Sequence, residues 1–275
     1  AQCPRFAAPV ALGRVASSAI DEASGLAVSP SKRDVIYTHN DSGGSARLFA
    51  LDRRGALRAI IELDVFAIDW EGMAAARLDG TSYLFVGDIG DNFHLRGAVR
   101  VHRIVEPDLP ARRGVRLRVK ATSFALRYGD GNAYDAEALL VDPIGRTLLV
   151  VTKAVRAEKT LVFGVPLARL GSSNKKGTLT RVAALSSVWQ GHRGDRISGG
   201  EFSRSGDLLV LRTYRQALLW PRRGREALPK LLARAPCRLA LRHEPQGEAI
   251  AVGRDGLYTL SEKTHQPLYF YRRLR

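Results

Sequence analysis

The hydrophobic and polar positions of this chain repeat in a cycle of apolar segments separated by short polar turns. Each cycle opens with an acidic, small-residue turn, followed by an apolar segment, a Gly/Asp/Pro turn and a second, very apolar segment. The opening turns read Glu22-Ala-Ser-Gly-Leu26, Asp69-Trp-Glu71-Gly-Met73, Asp135-Ala-Glu137-Ala-Leu139, Gly199-Gly-Glu201-Phe202 and Gln246-Gly-Glu248-Ala-Ile250. A repeat of roughly 50 to 65 residues is the length of one four-stranded propeller blade. The pattern predicts an all-β, five-bladed β-propeller that occupies residues 1–275 as a single domain.

The predicted strands follow the apolar segments in groups of four. They are 25–28, 34–38, 46–51 and 56–63; 73–77, 83–86, 99–104 and one long outer strand within 115–126; 138–141, 147–151, 160–166 and 177–185; then Phe202, 208–211, 217–220 and an outer segment within 227–241. That last segment contains Leu228-Pro-Lys-Leu-Leu-Ala233, which is equally compatible with a helical turn. A Gly/Ser/Lys-rich stretch at 171–177 is predicted to form a turn between outer strands.

The last group contains three predicted strands, 249–252, 257–260 and 268–271, and then the sequence ends. Residues 10–17 form an apolar segment that has no hairpin partner nearby in the sequence. We therefore expect this N-terminal strand to complete the last blade, which leaves no free sheet edge where the ring closes. Cys3 would then lie close to Cys237 in the neighbouring blade, and we expect the two to form a disulfide, although two buried free thiols are the alternative.

Composition places the protein in a broad class. The sequence of 275 residues is 45% hydrophobic, and it contains no apolar run of the ~18 to 20 residues that a membrane span needs. The sequence begins Ala1-Gln2-Cys3 and its only methionine is Met73. We interpret this as a mature chain that has lost a signal peptide, or as a trimmed one, and expect a secreted or periplasmic monomer.

The net charge is +16, with 43 Lys and Arg against 27 Asp and Glu. Such a charge favours anionic partners: phosphate esters, acidic glycans, nucleic acid or lipid headgroups. Because the basic residues are scattered and arginine outnumbers lysine, a compositional bias without function is the alternative.

One face of the predicted propeller collects most of the reactive side chains. The inner strands begin at this face, and the connections between second and third strands return to it. These connections read His39-Asn40-Asp41-Ser-Gly-Gly44, Gly87-Asp88-Ile-Gly-Asp91-Asn92, Thr152-Lys153, Arg212-Thr-Tyr214 and Ser261-Glu262-Lys-Thr-His265. Polar, ionisable and Gly-rich loops on one end of a rigid scaffold are typical of a functional face.

Glu71, Glu137 and Glu248 occupy one register, directly before the residue that opens an inner strand. Carboxylates that converge from several blades need a counter-charge. Calcium could supply it, with Asp88 and Asp91 as further oxygen ligands. A ring of ion pairs with Lys153 and Arg212 is a second interpretation. A third is that the glutamates only bind backbone amides of neighbouring blades.

The sequence contains no His-Glu-x-x-His, Gly-x-Ser-x-Gly or Walker A motif and no zinc-type Cys/His set. Zinc hydrolysis and serine-esterase chemistry therefore lack a signature. His39 and His265 are the candidate proton shuttles, with Lys153 and Arg212 as the cations that would hold an anion. Asn40, Asp41, Asn92 and Tyr214 are the predicted substrate-binding residues.

Several of these motifs resemble a known group of proteins. Asp69-Trp-Glu-Gly-Met73, Gly87-Asp-Ile-Gly-Asp-Asn92, Tyr134-Asp-Ala-Glu-Ala138 and Gln246-Gly-Glu-Ala249 are similar to secreted bacterial β-propellers of the phytase-like or esterase-like group. Propeller phytases hydrolyse phosphomonoesters with calcium on a carboxylate-rich face. By this resemblance Glu71, Glu137 and Glu248 would be metal ligands. This chain departs from them by having five predicted blades where they have six, and by being basic.

These observations predict a calcium-binding propeller that hydrolyses an anionic, phosphorylated substrate at the channel mouth. The alternative is a non-catalytic module that binds an acidic glycan or another surface ligand. A third interpretation is a nucleic-acid scaffold that uses phosphate contacts, and its affinity would fall steeply with added salt.

Overall fold

A computed structural model describes residues 2–41, 45–154, 159–171, 176–186, 188 and 192–274. The turn predicted at 171–177 falls mostly outside these residues, as do residues 42–44 of the first predicted connection. The regular secondary structure of the described chain is almost entirely β-strand, and the strands form antiparallel four-stranded units. Two short 3₁₀ helices, Leu167–Arg169 and Arg193–Asp195, and one α-helix, α1 (Leu228–Leu232), lie between strands.

The strands follow one another from the centre of the molecule outwards, and then the pattern repeats. The first unit contains β2 (Ala23–Val28), β3 (Val35–Asn40), β4 (Arg47–Asp52) and β5 (Leu57–Leu63). The second contains β6 (Trp70–Leu78), β7 (Thr81–Asp88), β8 (Val99–Val105) and β10 (Thr122–Tyr128), and the third β11 (Ala136–Asp142), β12 (Thr147–Thr152), β13 (Thr160–Pro166) and β14 (Lys176–Leu185). The fourth contains β15 (Ile197–Phe202), β16 (Leu208–Thr213), β17 (Gln216–Pro221) and β18 (Cys237–Ala240).

The last unit is closed by the N-terminus of the chain. It contains β19 (Gly247–Val252), β20 (Gly256–Ser261) and β21 (Pro267–Arg272), and β1 (Val10–Arg14) pairs antiparallel with β21. The predicted closing strand is thereby confirmed, although it ends at Arg14 rather than at residue 17. The predicted disulfide is also present: Cys3 and Cys237 are bonded, and their Cα atoms are 5.7 Å apart.

The innermost strands pack against one another in sequence around a common centre. β2 contacts β6, β6 contacts β11, β11 contacts β15, β15 contacts β19, and β19 returns to β2. These strands are almost wholly buried, and the core lies between neighbouring units, where side chains such as Leu139, Phe163 and Trp220 are fully covered. Apolar burial on both faces of every inner strand stabilises the ring. The fold is all-β and propeller-like.

The structure corrects the prediction of one long outer strand within 115–126. The segment is two strands in different sheets: β9 (Val115–Val119) pairs parallel with β5 of the first unit, whereas β10 pairs antiparallel with β8. The chain changes sheet at Lys120–Ala121, where the Ala121 amide donates to Asp64 at 2.8 Å. β10 also pairs parallel with β14, so the second and third units form one continuous sheet.

The ambiguous segment within 227–241 contains both predicted structures. Pro229 lies in the first turn of α1, where its missing N–H costs no helical hydrogen bond, and β18 follows as the outer strand. Leu231 and Leu232 of the helix pack into the core formed by the third and fourth units. No described helix has the length and apolar character to cross a membrane.

Candidate functional site at the start of the inner strands

Each inner strand begins with an irregularity in its pairing. One residue, or two in β6, is left without a partner on the second strand, so its side chain is displaced from the regular alternation. The bulged residues are Ser24, Glu71 with Gly72, Glu137, Ser198 and Glu248. The shared register predicted for Glu71, Glu137 and Glu248 therefore has a structural cause: all three are bulge residues, and all are buried.

The other two units carry serines at this position. Ser24 donates from its Oγ to Glu71 Oε2 at 2.9 Å, and Ser198 donates to the Gly247 carbonyl at 3.1 Å. Glu201, which the sequence pattern placed in the fourth copy of the motif, lies three residues further along β15 than Ser198. It accepts a hydrogen bond from the Val252 amide and does not belong to this position.

Asp41, Asp69 and Glu71 are the most closely grouped carboxylates. One oxygen from each lies within 4.8 Å of the other two. Asp69 precedes β6, Glu71 is its bulge residue, and Asp41 directly follows β3 of the neighbouring unit. The site thus joins two units, and Ser24 from the first unit fixes the Glu71 carboxylate.

The three carboxyl groups repel one another when ionised. Burial and the nearby charge of Glu137 raise the pKa of Glu71 well above its ordinary value. Burial and the charge of Asp69 raise the pKa of Asp41 to about 8. The pKa of Asp69 is raised by burial, although a hydrogen bond with Asp41 opposes that change. Without a cation, the group therefore retains protons at neutral pH.

A second part of the site surrounds Lys153. Its ammonium pairs with Glu137. Burial lowers the lysine pKa, but the charge and hydrogen bond of Glu137 together with the nearby Tyr214 and Asp135 raise it overall. Burial nevertheless raises the pKa of Glu137 to about 8, despite Lys153. Burial and the charge of Glu248 raise the pKa of Tyr214, and the pKa of Glu248 is itself raised, first by burial. Burial and Glu248 raise the pKa of Glu262 to about 7.

We call Asp41, Asp69, Glu71, Glu137, Glu248 and Glu262 the acidic mouth. Their pKa values depend on one another's charges, which places them in one electrostatic cluster. Lys153 lies among them and pairs with only one of these carboxylates. This region has the opposite charge to the protein as a whole, which has a net charge of +16.

The Asp41, Asp69 and Glu71 group fits a calcium ion. Calcium binds oxygen ligands at 2.3–2.6 Å, so two oxygens on one ion are at most about 5 Å apart. The 4.8 Å spacing meets that limit. Asp41 Oδ1 is also buried without a hydrogen-bond partner among the described residues, which leaves it available as a ligand. All the donors are oxygens, as calcium prefers.

Two of the predicted catalytic residues lie below the surface of the site. His39 is fully buried against Trp70, and burial lowers its pKa to about 4. Arg212 is fully buried as well, and its guanidinium pairs with Glu244 and donates to the Ala249 carbonyl at 2.7 Å. Neither side chain is exposed to a ligand at the mouth. Arg212 therefore does not form the predicted ion-pair ring with Lys153.

His265 and the predicted substrate-binding residues have different surroundings. His265 is exposed and its Nδ1 lies 3.0 Å from the Val15 carbonyl, beside the closing strand. Asn40 donates to Asp21 at 2.7 Å, and Asn92 is exposed on the β7–β8 connection. Tyr214 lies at the acidic mouth, next to Glu248.

The two further predicted metal ligands are engaged in the local fold. Asp88 is fully buried and bound by Arg96 at 2.8 Å, and the pKa of Asp88 is lowered because His102 and Arg96 outweigh its burial. Asp91 accepts the amides of Leu95 and Arg96 at 2.9 and 2.8 Å and so fixes its own turn. Both therefore support the connection that borders the mouth, while Asp41 and Asp69 lie beside Glu71.

The prediction missed an apolar border. Phe66, Ile68, Phe93 and Leu95 are strongly exposed, between 52 and 90%. They lie in two adjacent loops, which are joined by a hydrogen bond from the Gly90 amide to the Asp69 carbonyl at 3.2 Å. Large apolar side chains in a loop segment such as Phe93-His-Leu95 were the available sequence signal. Exposed apolar clusters commonly mark interaction sites.

Comparison with known proteins adds little to this geometry. No family model and no curated protein matches the chain. Among solved structures, a chain of a nidogen/laminin complex superposes with a TM-score of 0.44 and 14% identity, over 88% of this chain and 73% of that chain. Hydrazine synthase of Kuenenia stuttgartiensis gives a TM-score of 0.43 and 12% identity, over 86% of this chain and 61% of that chain. Similarity at this level says nothing about activity or ligands.

Proposed function

We propose that this protein is a secreted or periplasmic, five-bladed propeller that binds calcium at the acidic mouth and, through the ion, an anionic ligand. The observation that carries the proposal is the group of Asp41, Asp69 and Glu71, with three oxygens within 4.8 Å and raised pKa values. The count of five blades rests on the closed succession of inner strands. The Cys3–Cys237 disulfide is compatible with an extracellular or periplasmic location.

Calcium would supply the positive charge that this cluster lacks and a coordination position for an oxygen of the ligand. Asp41, Asp69 and Glu71 would hold the ion. Lys153 would attract the same anion, because its ammonium pairs with a single carboxylate, that of Glu137, among the described residues. The exposed apolar border favours a ligand that has an apolar part as well as an anionic group.

Calorimetric titration with calcium tests the proposal. We expect one bound ion per chain, with loss of binding in Asp41→Asn and Glu71→Gln. Glu22→Gln is the matched control, because it removes one charge near Glu262 but lies outside the group of three. Equal weakening in all three variants would mean that the region attracts cations only through its general charge, and would refute a defined site.

Hydrolysis of a phosphorylated substrate is the second candidate, and the position of Lys153 and Tyr214 at the mouth favours it. Lys153 would hold the phosphoryl oxygens, and a mouth carboxyl such as Glu262, whose pKa is about 7, could accept or donate a proton near neutral pH. The burial of His39 and Arg212 removes two predicted catalytic side chains from the mouth, which favours the binding role. A phosphoester panel with calcium or chelator separates these functions: turnover that is lost in Lys153→Met and Glu71→Gln would establish hydrolysis.

A further inference from the structure

A second site lies at the opposite ends of the inner strands. A cavity of about 1020 Å³ is bounded by the turns that join β2 to β3, β15 to β16 and β19 to β20, and by the end of β6. Its volume is at the upper end of the range found for small-molecule sites. The side chains of the acidic mouth do not line this cavity, so it is a separate region.

The cavity is lined by cationic side chains from four units. We call Arg33, Arg77, Arg204 and Arg254, with the space they enclose, the basic cavity. All four are exposed. Arg33, Arg204 and Arg254 form no ion pair or side-chain hydrogen bond with any other described residue, whereas Arg77 donates to the Gly80 carbonyl at 3.2 Å. Guanidinium groups on separate turns that converge without carboxylate partners form a site of positive potential.

The acidic side chains of the same cavity are mostly engaged. Asp207 accepts a hydrogen bond from Ser205 at 2.6 Å and lies 3.9 Å from Arg273. Glu201 is buried and accepts the Val252 amide, and burial raises its pKa well above the ordinary value, which favours its uncharged form. Asp255 is the remaining exposed carboxylate of the lining. The balance of charge in the basic cavity is therefore positive.

We propose that the basic cavity binds a small polyanion that carries several phosphate groups. Arginine side chains recognise phosphate oxygens through paired, charge-assisted hydrogen bonds. Three such side chains on different turns suit a ligand with separated phosphates better than a single anion. This site needs no metal and goes beyond the function proposed for the acidic mouth.

Calorimetric titration with inorganic tripolyphosphate, in chelator and without calcium, tests this site alone. Without calcium the acidic mouth lacks the ion through which the proposed function would hold an anion, so the cavity variant reports on the basic cavity. The test variant is Arg33→Ala/Arg204→Ala/Arg254→Ala. The control is Arg112→Ala/Arg127→Ala/Arg225→Ala, which removes the same charge from exposed positions outside the cavity.

We expect the wild type and the control to bind tripolyphosphate and the cavity variant to bind at least about tenfold more weakly, since it loses the charge-assisted hydrogen bonds of three guanidinium groups. Inorganic phosphate should bind more weakly than tripolyphosphate. No binding to the wild type, or equal loss in both triple variants, would overturn the proposal. If the cavity variant does not fold, Arg204→Ala and Arg254→Ala are tested singly against Arg127→Ala, and the same comparison applies.

Discussion

The two ends of the inner strands carry opposite charge by different structural means. At the acidic mouth, the bulges of three inner strands supply the buried glutamates, and the bulge residue Glu71 lies with the partly buried Asp41 and Asp69 in a group whose oxygens are within 4.8 Å of one another. At the basic cavity, exposed arginines come from three turns and from the end of β6, and they line a space of about 1020 Å³. Buried like charges require a bound counter-ion or protons, whereas exposed cations can attract a ligand directly. A net charge of +16 therefore does not describe either site.

Both sites depend on closure of the ring, so opening it should have the largest effect. Deletion of residues 1–14 removes β1, which covers Leu268 and Phe270 of β21, and it also removes the disulfide. Exposing large apolar side chains costs about 1.5 to 3 kcal/mol each, and loss of the disulfide about 2 to 5 kcal/mol. Urea unfolding measures the sum.

The matched control for this deletion is Cys3→Ser/Cys237→Ser, which removes only the disulfide. We expect the deletion to be several kcal/mol less stable than this control. If the two variants unfold at the same urea concentration, β1 contributes nothing to the stability of the closed ring. That result would contradict the claim that both sites depend on ring closure.

The next largest effect on stability concerns the one ion pair of the acidic mouth, between Lys153 and Glu137. Lys153→Met leaves Glu137 buried without its cation, and breaking a buried ion pair costs about 3 to 5 kcal/mol. Lys153→Met/Glu137→Gln should recover most of that loss, because no buried charge is left. Chemical denaturation at pH 7.5 measures both variants. A double variant as unstable as the single one would show that lost packing, not the unpaired charge, is responsible.

A smaller effect is the pH dependence of the free energy of unfolding in the calcium-free protein. Asp41 and Glu137 have pKa values raised to about 8 and Glu262 to about 7, so the folded state holds protons that the unfolded state releases above pH 4 to 5. Their contribution to stability is complete below that range and is lost as pH rises towards 8. One group contributes a slope of at most about 1.4 kcal/mol per pH unit.

Urea unfolding from pH 5 to 8 in chelator measures this slope. Asp41→Asn should make it shallower, whereas Asp108→Asn, at a fully exposed carboxylate, should leave it unchanged. Calcium affinity should rise over the same range, because the ion competes with protons for the same oxygens. A stability that increases from pH 5 to 8 without calcium would contradict the raised pKa values.

The smallest effect on stability concerns the apolar border, which the basic cavity lacks. Phe93→Ser and Leu95→Ser alter side chains that are 82% exposed, so the free energy of unfolding should change by less than about 0.5 kcal/mol. Binding of an apolar fluorescent dye should nevertheless fall. Val105→Ser, at a 55% exposed position on an outer strand, is the control. Equal dye binding by all three variants would show that the border is not a binding surface.

The strand order and the closing strand could be predicted from sequence because each depends on local pattern. Apolar segments alternate with turn residues, and the predicted strand without a neighbour, residues 10–17, is expected to pair at the open edge. The split of 115–126 into β9 and β10 could not be predicted. Both halves have the same alternating pattern, and the break depends on a hydrogen bond from Ala121 to Asp64, which is distant in sequence.

The candidate site shows the same limit. Glu71, Glu137 and Glu248 share a register because a bulge follows each acidic turn, so their spacing was informative. In the fourth unit, aligning Glu201 with the glutamates of the other copies was misleading, because the bulge residue of that unit is Ser198. The burial of His39 depends on its packing against Trp70 from the next unit, and the approach of Asp41 to Asp69 on packing between β2 and β6. Such contacts exist only in the folded ring.

The most direct test of the calcium proposal is diffraction from crystals grown with calcium, with the ion located by its anomalous scattering. The account predicts one peak about 2.3 to 2.6 Å from oxygens of Asp41, Asp69 and Glu71, and no such peak in crystals of Glu71→Gln. A map with no ion among these three carboxylates, or with calcium bound only at another position, would contradict the central claim.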